Sequence, residues 1–515
     1  MNEEIEEYYE ELYRLYIDEN QPLERRYRQL RESLERVVRE KIQGNSLQTT
    51  DLAARINYVA TQYGLDLKEQ NQLHTFRLTS NDILNHRKSP VKEEFLRDLR
   101  AVAYAYRKMF AQDIPLKLFS VLPKQEIASS GKKEKMEYIR RIRVCFDYAD
   151  DTYLYVHPVD VIADEPIRVV YNKPGINHEF EETIKELWRY AQLNLLDVSV
   201  DRDGIYTPSF IVLEPDYLID ISSLAECYKD YGSHPANYFL SRLVPIDNAR
   251  PLLLGNIANL FLDEWIHAGE EEPDYIDCMK KAFRQYPIEL AACAELRDPS
   301  KEKEFAKDCR MHFEHIRDVV QHTFLEPGYN LDKKEAVLEP SYICEALGIQ
   351  GRLDYMQRDM SSFIEMKSGK ADEFSMQGKV EPKENNKVQM LLYMAVLEYS
   401  MGQDRRRMHP YLLYTRYPLL YPARASWAQV RRVINLRNRI VAAEYGVQFH
   451  NHPDFTRNLL AQINPEVVNE RKLSGRFWEQ YLKPSISRFR EKLSALEPLE
   501  QAYFYMLYNF ITKEL

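Results

Sequence analysis

The chain is poor in the residues that make flexible loops, cross-links and membrane anchors. Only 16 of its 515 residues are glycine and 25 are proline, too few for a fibrous or low-complexity polymer. Six cysteines, Cys145, Cys227, Cys278, Cys293, Cys309 and Cys344, stand far apart with no C-x-x-C pair. That spacing argues against a zinc site and makes reduced, buried thiols the expectation. No apolar run reaches membrane-spanning length, and the acidic start Met1-Asn2-Glu3-Glu4 carries no basic region followed by an apolar stretch, so a cytoplasmic protein without a membrane partner is expected. A G-x-x-x-x-G-K-[ST] loop is missing too. Ser368-Gly369-Lys370-Ala371 lacks both the earlier glycine and the Ser/Thr, so no ATP motor is read here.

The residues that are present can build several cores. Apolar residues make up 44% and aromatics 12% of the chain, and a length of 515 residues predicts two to four domains at about 150 residues each. The formal net charge of -10 does not exclude nucleic acid, because a phosphate backbone responds to the local field rather than to the total charge.

Texture changes along the chain set the expected boundaries. Residues 1–112 read as an all-helical domain: Ile5, Tyr8, Leu12 and Tyr16, then Tyr27, Leu30, Leu34, Val37 and Ile42, recur at helical spacing, with Pro22 separating two helices. Residues 113–217 read as a β domain, a small barrel or compact sheet of which an OB-like barrel is one form. Leu116 and Leu118 are expected to open it as a strand, and a helix is expected near Glu181 to Leu195. Residues 218–440 follow the order helix, strands, helix, strand, an α/β layer arrangement, and residues 441–515 read as C-terminal helices.

The chemistry concentrates in three short segments: Gly351-Arg352-Leu353-Asp354, then Phe363-Ile364-Glu365-Met366-Lys367-Ser368-Gly369-Lys370, then Gln389-Met390-Leu391-Leu392-Tyr393. A bare acidic-x-basic triplet is expected about eleven times by chance at this composition, so no piece carries the argument alone. Together they make a geometry. Strand alternation puts Glu365 and Lys367 on one face and Ile364 and Met366 on the other, and Asp354 on the preceding strand can meet them. Two carboxylates and a backbone carbonyl, that of Met366, offer Mg²⁺ or Mn²⁺ a hard oxygen seat. In such a site a cation polarises a phosphate and activates water, while Lys367 orients that water or offsets developing charge. Gln389 and Tyr393, four residues apart, share a helix face and can fix Lys367 or grip phosphate. Between Arg405 and Arg439, basic and aromatic residues interleave, including Arg406, Tyr411, Tyr414, Arg416, Arg424, Arg431 and Arg437. This pattern suits tracking phosphates and stacking bases.

The series G-R-x-D, E-x-K followed by S-G-K, and Q-x-x-x-Y resembles the RecB-like branch of the PD-(D/E)XK nucleases over about Leu252 to Tyr417. The resemblance implies a restriction-endonuclease-like α/β core over residues 218–440 and Mg²⁺- or Mn²⁺-dependent hydrolysis of DNA. It also implies Asp354, Glu365, Lys367, Gln389 and Tyr393 as catalytic residues. Arg352 and Lys370, inside these motifs, and Arg406, Arg416 and Arg424 of the basic series are the expected DNA contacts. Leu254 to Asp263 is similar to that branch's first motif, a glycine followed four residues on by a metal-ligating histidine. Here Gly255 is followed by Asn259, which makes Asn259 the expected fourth ligand beside Asp354, Glu365 and Met366.

Within the branch, the chain is most similar to the flap-processing helicase-nucleases of replication and repair. That similarity implies single-stranded or flap DNA as substrate and a helicase partner, either separate or in a longer chain. Pro215 to Leu218 and Ser222 to Cys227 resemble that family's barrel–nuclease junction, in which the cysteine begins an iron–sulfur cluster completed by three later ones. No cysteine follows Cys344 here, so no such cluster is expected. A competing expectation is a DNA-binding or scaffold module, weakened in turnover by Asn259, that works with a helicase.

Overall fold

A computed structural model describes residues 3–42, 52–123, 138–160, 165–201, 203–229, 231–243, 249–374, 379–423, 426–475 and 478–514. The chain is mixed α/β, with an N-terminal helical region followed by several small sheets. It divides into two compact units, Met1–Glu214 with Gln448–His450, and Pro215–Val447 with Asn451–Leu515.

The first unit opens with helices α1 (Glu3–Ile17), α2 (Leu23–Lys41), α3 (Leu52–Gln62), α4 (Leu67–Leu84) and α5 (Lys92–Phe110). Pro22 stands at the N-cap of α2, where its missing N–H costs nothing. Tyr27, Leu30, Leu34, Val37 and Val38 then bury one stripe of that helix. Leu116 and Leu118, expected to begin a strand, instead form a single helical turn, α6 (Leu116–Phe119). Leu118 is buried in the same core as the five helices, and that burial outweighs the local alternation.

Six strands follow: β1 (Tyr138–Ala149), β2 (Tyr153–Pro158), β3 (Ile167–Val170), β4 (Gln192–Val200), β5 (Tyr206–Thr207) and β6 (Phe210–Leu213). The strand β1 pairs antiparallel with both β2 and β4, β3 pairs parallel with β5, and β4 also pairs with β5 and β6. The helix expected near Glu181 to Leu195 stops early, as α7 (Glu181–Lys185). Leu193 and Leu195 lie in β4, fully buried between β1 and β6; pairing with strands on both sides outweighs the local helical reading. Cys145 of β1 and Tyr190 join the helical core, and the Tyr190 hydroxyl donates to Thr61 Oγ1 at 2.9 Å.

The second unit begins with β7 (Ile219–Asp220) and five helices: α8 (Ile221–Glu226), α9 (Ala236–Leu243), α10 (Arg250–His267), α11 (Tyr275–Gln285) and α12 (Pro287–Ala292). Next come α13 (Pro299–Gln321) and the strands β8 (Ala336–Leu338), β9 (Ser341–Cys344), β10 (Ile349–Arg352), β11 (Tyr355–Gln357) and β12 (Ser362–Lys367). A short hairpin of β13 (Asp372–Phe374) and β14 (Lys379–Glu381) leads to α14 (Glu384–Met401), β15 (His409–Tyr414) and β16 (Leu419–Pro422). The chain closes with α15 (Trp427–His450), α16 (Pro453–Ala461), α17 (Pro465–Val468), α18 (Lys483–Ser494) and α19 (Pro498–Glu514).

The main sheet of this unit runs β16-β15-β12-β11-β8, with β12 and β15 parallel and the other pairs antiparallel. Ile364, Met366, Tyr411 and Leu413 pack into one core with Leu254, Ile257 and Phe261 of α10 and Phe313 and Ile316 of α13. A smaller sheet, β7-β10-β9, carries the G-R-x-D segment. Arg437 of α15 is wholly buried, and its Nε donates to the carbonyl of Gly348 at 3.1 Å. Gly348 has φ +63, and a Cβ there would lie 2.3 Å from Arg437 Nη2, so only glycine fits this turn.

Candidate functional site

The centre of the site is one face of β12. Tyr355 pairs with Ile364 and Met356 with Phe363, and continuing that register sets Asp354 opposite Glu365. Asp354 Oδ2 accepts the backbone N–H of Met366 at 2.6 Å, which ties the two strands together. Ile364 and Met366 point into the core shared with α10 and α13, leaving Glu365 and Lys367 on the face toward α14.

Helix α14 is buried nearly all round, from Val388 to Leu397, and it carries a polar stripe at Asn386, Gln389 and Tyr393. Gln389 Oε1 accepts from Lys367 Nζ at 2.8 Å. Its Nε2 donates to Glu365 Oε1 at 2.6 Å and to Ser222 Oγ at 3.1 Å. Lys367 Nζ also donates to Glu365 Oε1 at 2.8 Å. The Tyr393 hydroxyl donates to the Arg352 carbonyl at 2.5 Å, so it pins the strand before Asp354 rather than reaching outward. Gly351 is small for the same reason: a Cβ would lie 3.1 Å from that hydroxyl and from Ile221. Behind the strand, the backbone N–H of Thr415 donates to the Lys367 carbonyl at 2.9 Å, and the Thr415 carbonyl meets His315 Nδ1 at 3.0 Å.

Charge is expensive here. Burial, and then the neighbouring Asp354, push the Glu365 carboxyl up to about 8; burial raises Asp354 as well. Burial works against the charge of Lys367, but Glu365 and Asp354 hold it above the ordinary lysine range. Glu365 is 4% exposed, and its Oε2 has no hydrogen-bond partner among the described residues. A buried, unpartnered carboxylate oxygen beside a second carboxylate is a donor set that a hard divalent cation satisfies. Among the described residues no group of three or more Asp, Glu, His or Cys is arranged to hold a metal ion. A cation at this place would rest on these two carboxylates and on neutral donors.

The other residues named from the sequence are placed unevenly. Asn259 is half-buried on α10. Gly255, one turn earlier, sits against Ser368, where an added Cβ would lie 3.4 Å from Oγ. Asp263, one turn later, is near enough to Glu339 and Asp354 that burial and those charges push its carboxyl up to about 6. The flanks of Asn259 thus lie along the site. Arg352 is exposed and pairs with Glu339 at 3.0 Å, and Lys370 is exposed. Arg416 follows β15 at the Lys367 end and lies 3.7 Å from Asp308. Arg406 precedes His409, which pairs with Ser362 at the opposite end of β12, so it stands a full strand length from Lys367. Arg424 lies outside the described residues.

The basic and aromatic series between Arg405 and Arg439 does not make one surface, because Tyr411, Tyr414, Arg431 and Arg437 are buried. The histidines of α13 include a buried one. His312 is buried, and that burial pushes its imidazole down to about 4. Ser222 and Asp263, named from the sequence only as ends of resembling segments, and Thr415, not named at all, enter the site; their neighbours in space are remote in sequence.

All six cysteines are buried free thiols, and burial pushes Cys227 up to about 12. Among the described residues no helix is long and apolar enough to cross a membrane. No protein-family model matches the chain, and no curated protein matches it.

Proposed function

We propose that the second unit is a Mg²⁺- or Mn²⁺-dependent deoxyribonuclease of the PD-(D/E)XK type, acting on single-stranded or flap DNA in replication, repair or recombination. One observation carries this reading: Glu365 Oε2 is buried and unpartnered beside Asp354, while the other oxygen of the same carboxylate is bonded by both Lys367 and Gln389. A fold keeps a costly arrangement of this kind when a ligand completes it. The mixed sheet, with α10 and α13 on one face and α14 on the other, supports a restriction-endonuclease-like core. In the first unit, the pairing series β1-β2-β3-β5-β4 returning to β1, with α7 between β3 and β4, supports an OB-like barrel.

Asp354 and Glu365 would hold the ion, with the Asn259 side chain and the Met366 carbonyl as neutral donors. A divalent ion bound there supplies Lewis acidity to the phosphate and lowers the pKa of a water molecule. The protein's own contribution is positional. Gln389 fixes the Lys367 ammonium on the Glu365 side of the site, where a point charge can orient an attacking water and offset charge on the phosphate. Tyr393 holds the strand that delivers Asp354. Arg352 and Lys370, exposed on either side, are placed to meet neighbouring phosphates.

The test is cleavage of labelled single-stranded, duplex and flap DNA by the full chain, with Mg²⁺, Mn²⁺ or EDTA. The reading expects metal-dependent cleavage of substrates that contain single strands. Absence of cleavage of every substrate in either metal refutes it.

A further inference from the structure

The hydrogen bonds around Gln389 leave one proton unassigned. Its Nε2 has two hydrogens, which go to Glu365 Oε1 at 2.6 Å and Ser222 Oγ at 3.1 Å, while its Oε1 accepts from Lys367 at 2.8 Å. A flipped amide would set oxygen against carboxylate and NH₂ against ammonium, so the orientation is fixed. Ser222 is therefore an acceptor toward Gln389, and its own O–H must donate elsewhere. Among the described residues nothing accepts it. Ser222 is exposed, whereas Gln389 and Glu365 are buried. Its hydroxyl is thus a donor at the solvent edge of a buried, charged network.

The backbone holds it there firmly. The strand β7 runs parallel to β10, with Asp220 paired to Gln350, so the segment that carries Ser222 is built onto the strand that carries Arg352. Ile221 packs against Gly351, and Asn385 of α14 donates to Glu226 Oε1 at 2.8 Å. Ser222 Oγ and Glu365 Oε1 accept from the same nitrogen, so at most two hydrogen-bond lengths separate them, a span that a phosphate group can bridge.

We propose that the Ser222 hydroxyl is a substrate-binding group of this site, donating to a non-bridging oxygen of the phosphodiester seated over Asp354 and Glu365. The proposal rests on the nuclease reading. A hydroxyl bound to an anionic oxygen adds affinity without adding charge. It also explains a serine whose proton is left over on a surface lined by buried acids, where a second carboxylate would repel the substrate.

The experiment compares wild type, Ser222→Ala and Ser222→Thr as full chains. Binding of a fluorescent single-stranded oligonucleotide is measured by anisotropy in Ca²⁺, and KM, kcat and the Mg²⁺ requirement are measured in Mg²⁺. We expect Ser222→Ala to weaken binding and raise KM by about five- to tenfold, with kcat within about twofold and the Mg²⁺ requirement unchanged. Ser222→Thr, which keeps the hydroxyl, should stay near wild type. Equal Kd and KM for Ser222→Ala and wild type overturn the proposal. An unchanged KM with a fallen kcat or a raised Mg²⁺ requirement also overturns it, because Ser222 then only steadies Gln389. If wild type neither binds nor cleaves DNA, the nuclease reading itself falls and takes this inference with it.

Discussion

Asp98 sits in the helical region at 1% exposure and Glu365 in the main sheet of the second unit at 4%. Both are carboxylates that burial pushes upward, Asp98 to about 6 and Glu365 to about 8, yet their surroundings differ. Asp98 has both oxygens occupied: Arg97 donates to Oδ1 at 2.9 and 3.0 Å, and the Tyr27 hydroxyl donates to Oδ2 at 3.2 Å. Glu365 has two donors on Oε1 and none on Oε2 among the described residues. A fully satisfied buried charge ties elements together, here α2 to α5. One left half-satisfied is costly by itself and becomes favourable when something binds.

That contrast can be broken most sharply by alanine at each position. Asp354→Ala, Glu365→Ala and Lys367→Ala should each lower cleavage by at least about a thousandfold, with DNA binding in Ca²⁺ within a few-fold of wild type. Loss of binding together with cleavage would mean misfolding rather than lost chemistry. Asp98→Ala should leave the cleavage rate untouched below the melting temperature and cost about 3 kcal/mol in denaturant unfolding, since Tyr27 and Arg97 lose their buried partner.

A subtler substitution sharpens the comparison. Glu365→Gln keeps a carbonyl oxygen for Lys367 and Gln389 and puts an NH₂ where the unpartnered oxygen was, so it should stabilise the metal-free protein by about 1–2 kcal/mol while abolishing cleavage. Asp98→Asn should destabilise. The pH dependence follows the same logic. A carboxyl whose native pKa stands above its unfolded value favours the fold at low pH and loses that contribution as pH rises through the native value. For Asp98 the loss runs from about 3.8 to about 6, and for Glu365 from about 4.5 to about 8. Between pH 6 and 8, metal-free wild type should therefore lose stability that Glu365→Gln retains, and Mg²⁺ should restore it to wild type alone. Thermal melts at pH 6 and pH 8, with and without Mg²⁺, measure this; identical pH slopes in the two proteins would remove Glu365 as the cause.

The smallest effects belong to Asn259. Asn259→His should add a nitrogen donor and shift the cleavage preference toward Mn²⁺. Asn259→Ala should raise the Mg²⁺ needed for half-maximal cleavage a few-fold, because a neutral oxygen is lost from a site with only two carboxylates. Unchanged metal-response curves in both variants would mean that Asn259 does not face the ion.

The local parts of the fold and of the candidate site are legible in the sequence. Period-two alternation around Glu365 needs only the local backbone, and the helical stripes of α2 and α5 are equally local. The misreadings share a cause. Leu116 and Leu118 alternate like a strand, but Leu118 is drawn into the helical core while Leu116 stays exposed, and the leucines of β4 are buried because neighbouring strands cover them. Arg406 and Arg416, ten residues apart, go to opposite ends of one strand, and proximity in sequence hides that.

Residue type and spacing along the chain suffice to pick out the candidates for the proposed chemistry. Asp354, Glu365 and Lys367 can be read from residue type and strand period, because a strand's side-chain period is fixed by its own backbone. Which partner each group meets is set by the packing of distant elements. That Tyr393 bonds a strand carbonyl, that Gln389 turns its oxygen to Lys367, and that Ser222 has a proton left over depend on α8 and α14 packing against the sheet, and Ser222 meets Gln389 across 167 residues of chain. Hydrogen-bond assignment is an accounting over all neighbours in space, and no local pattern contains those neighbours.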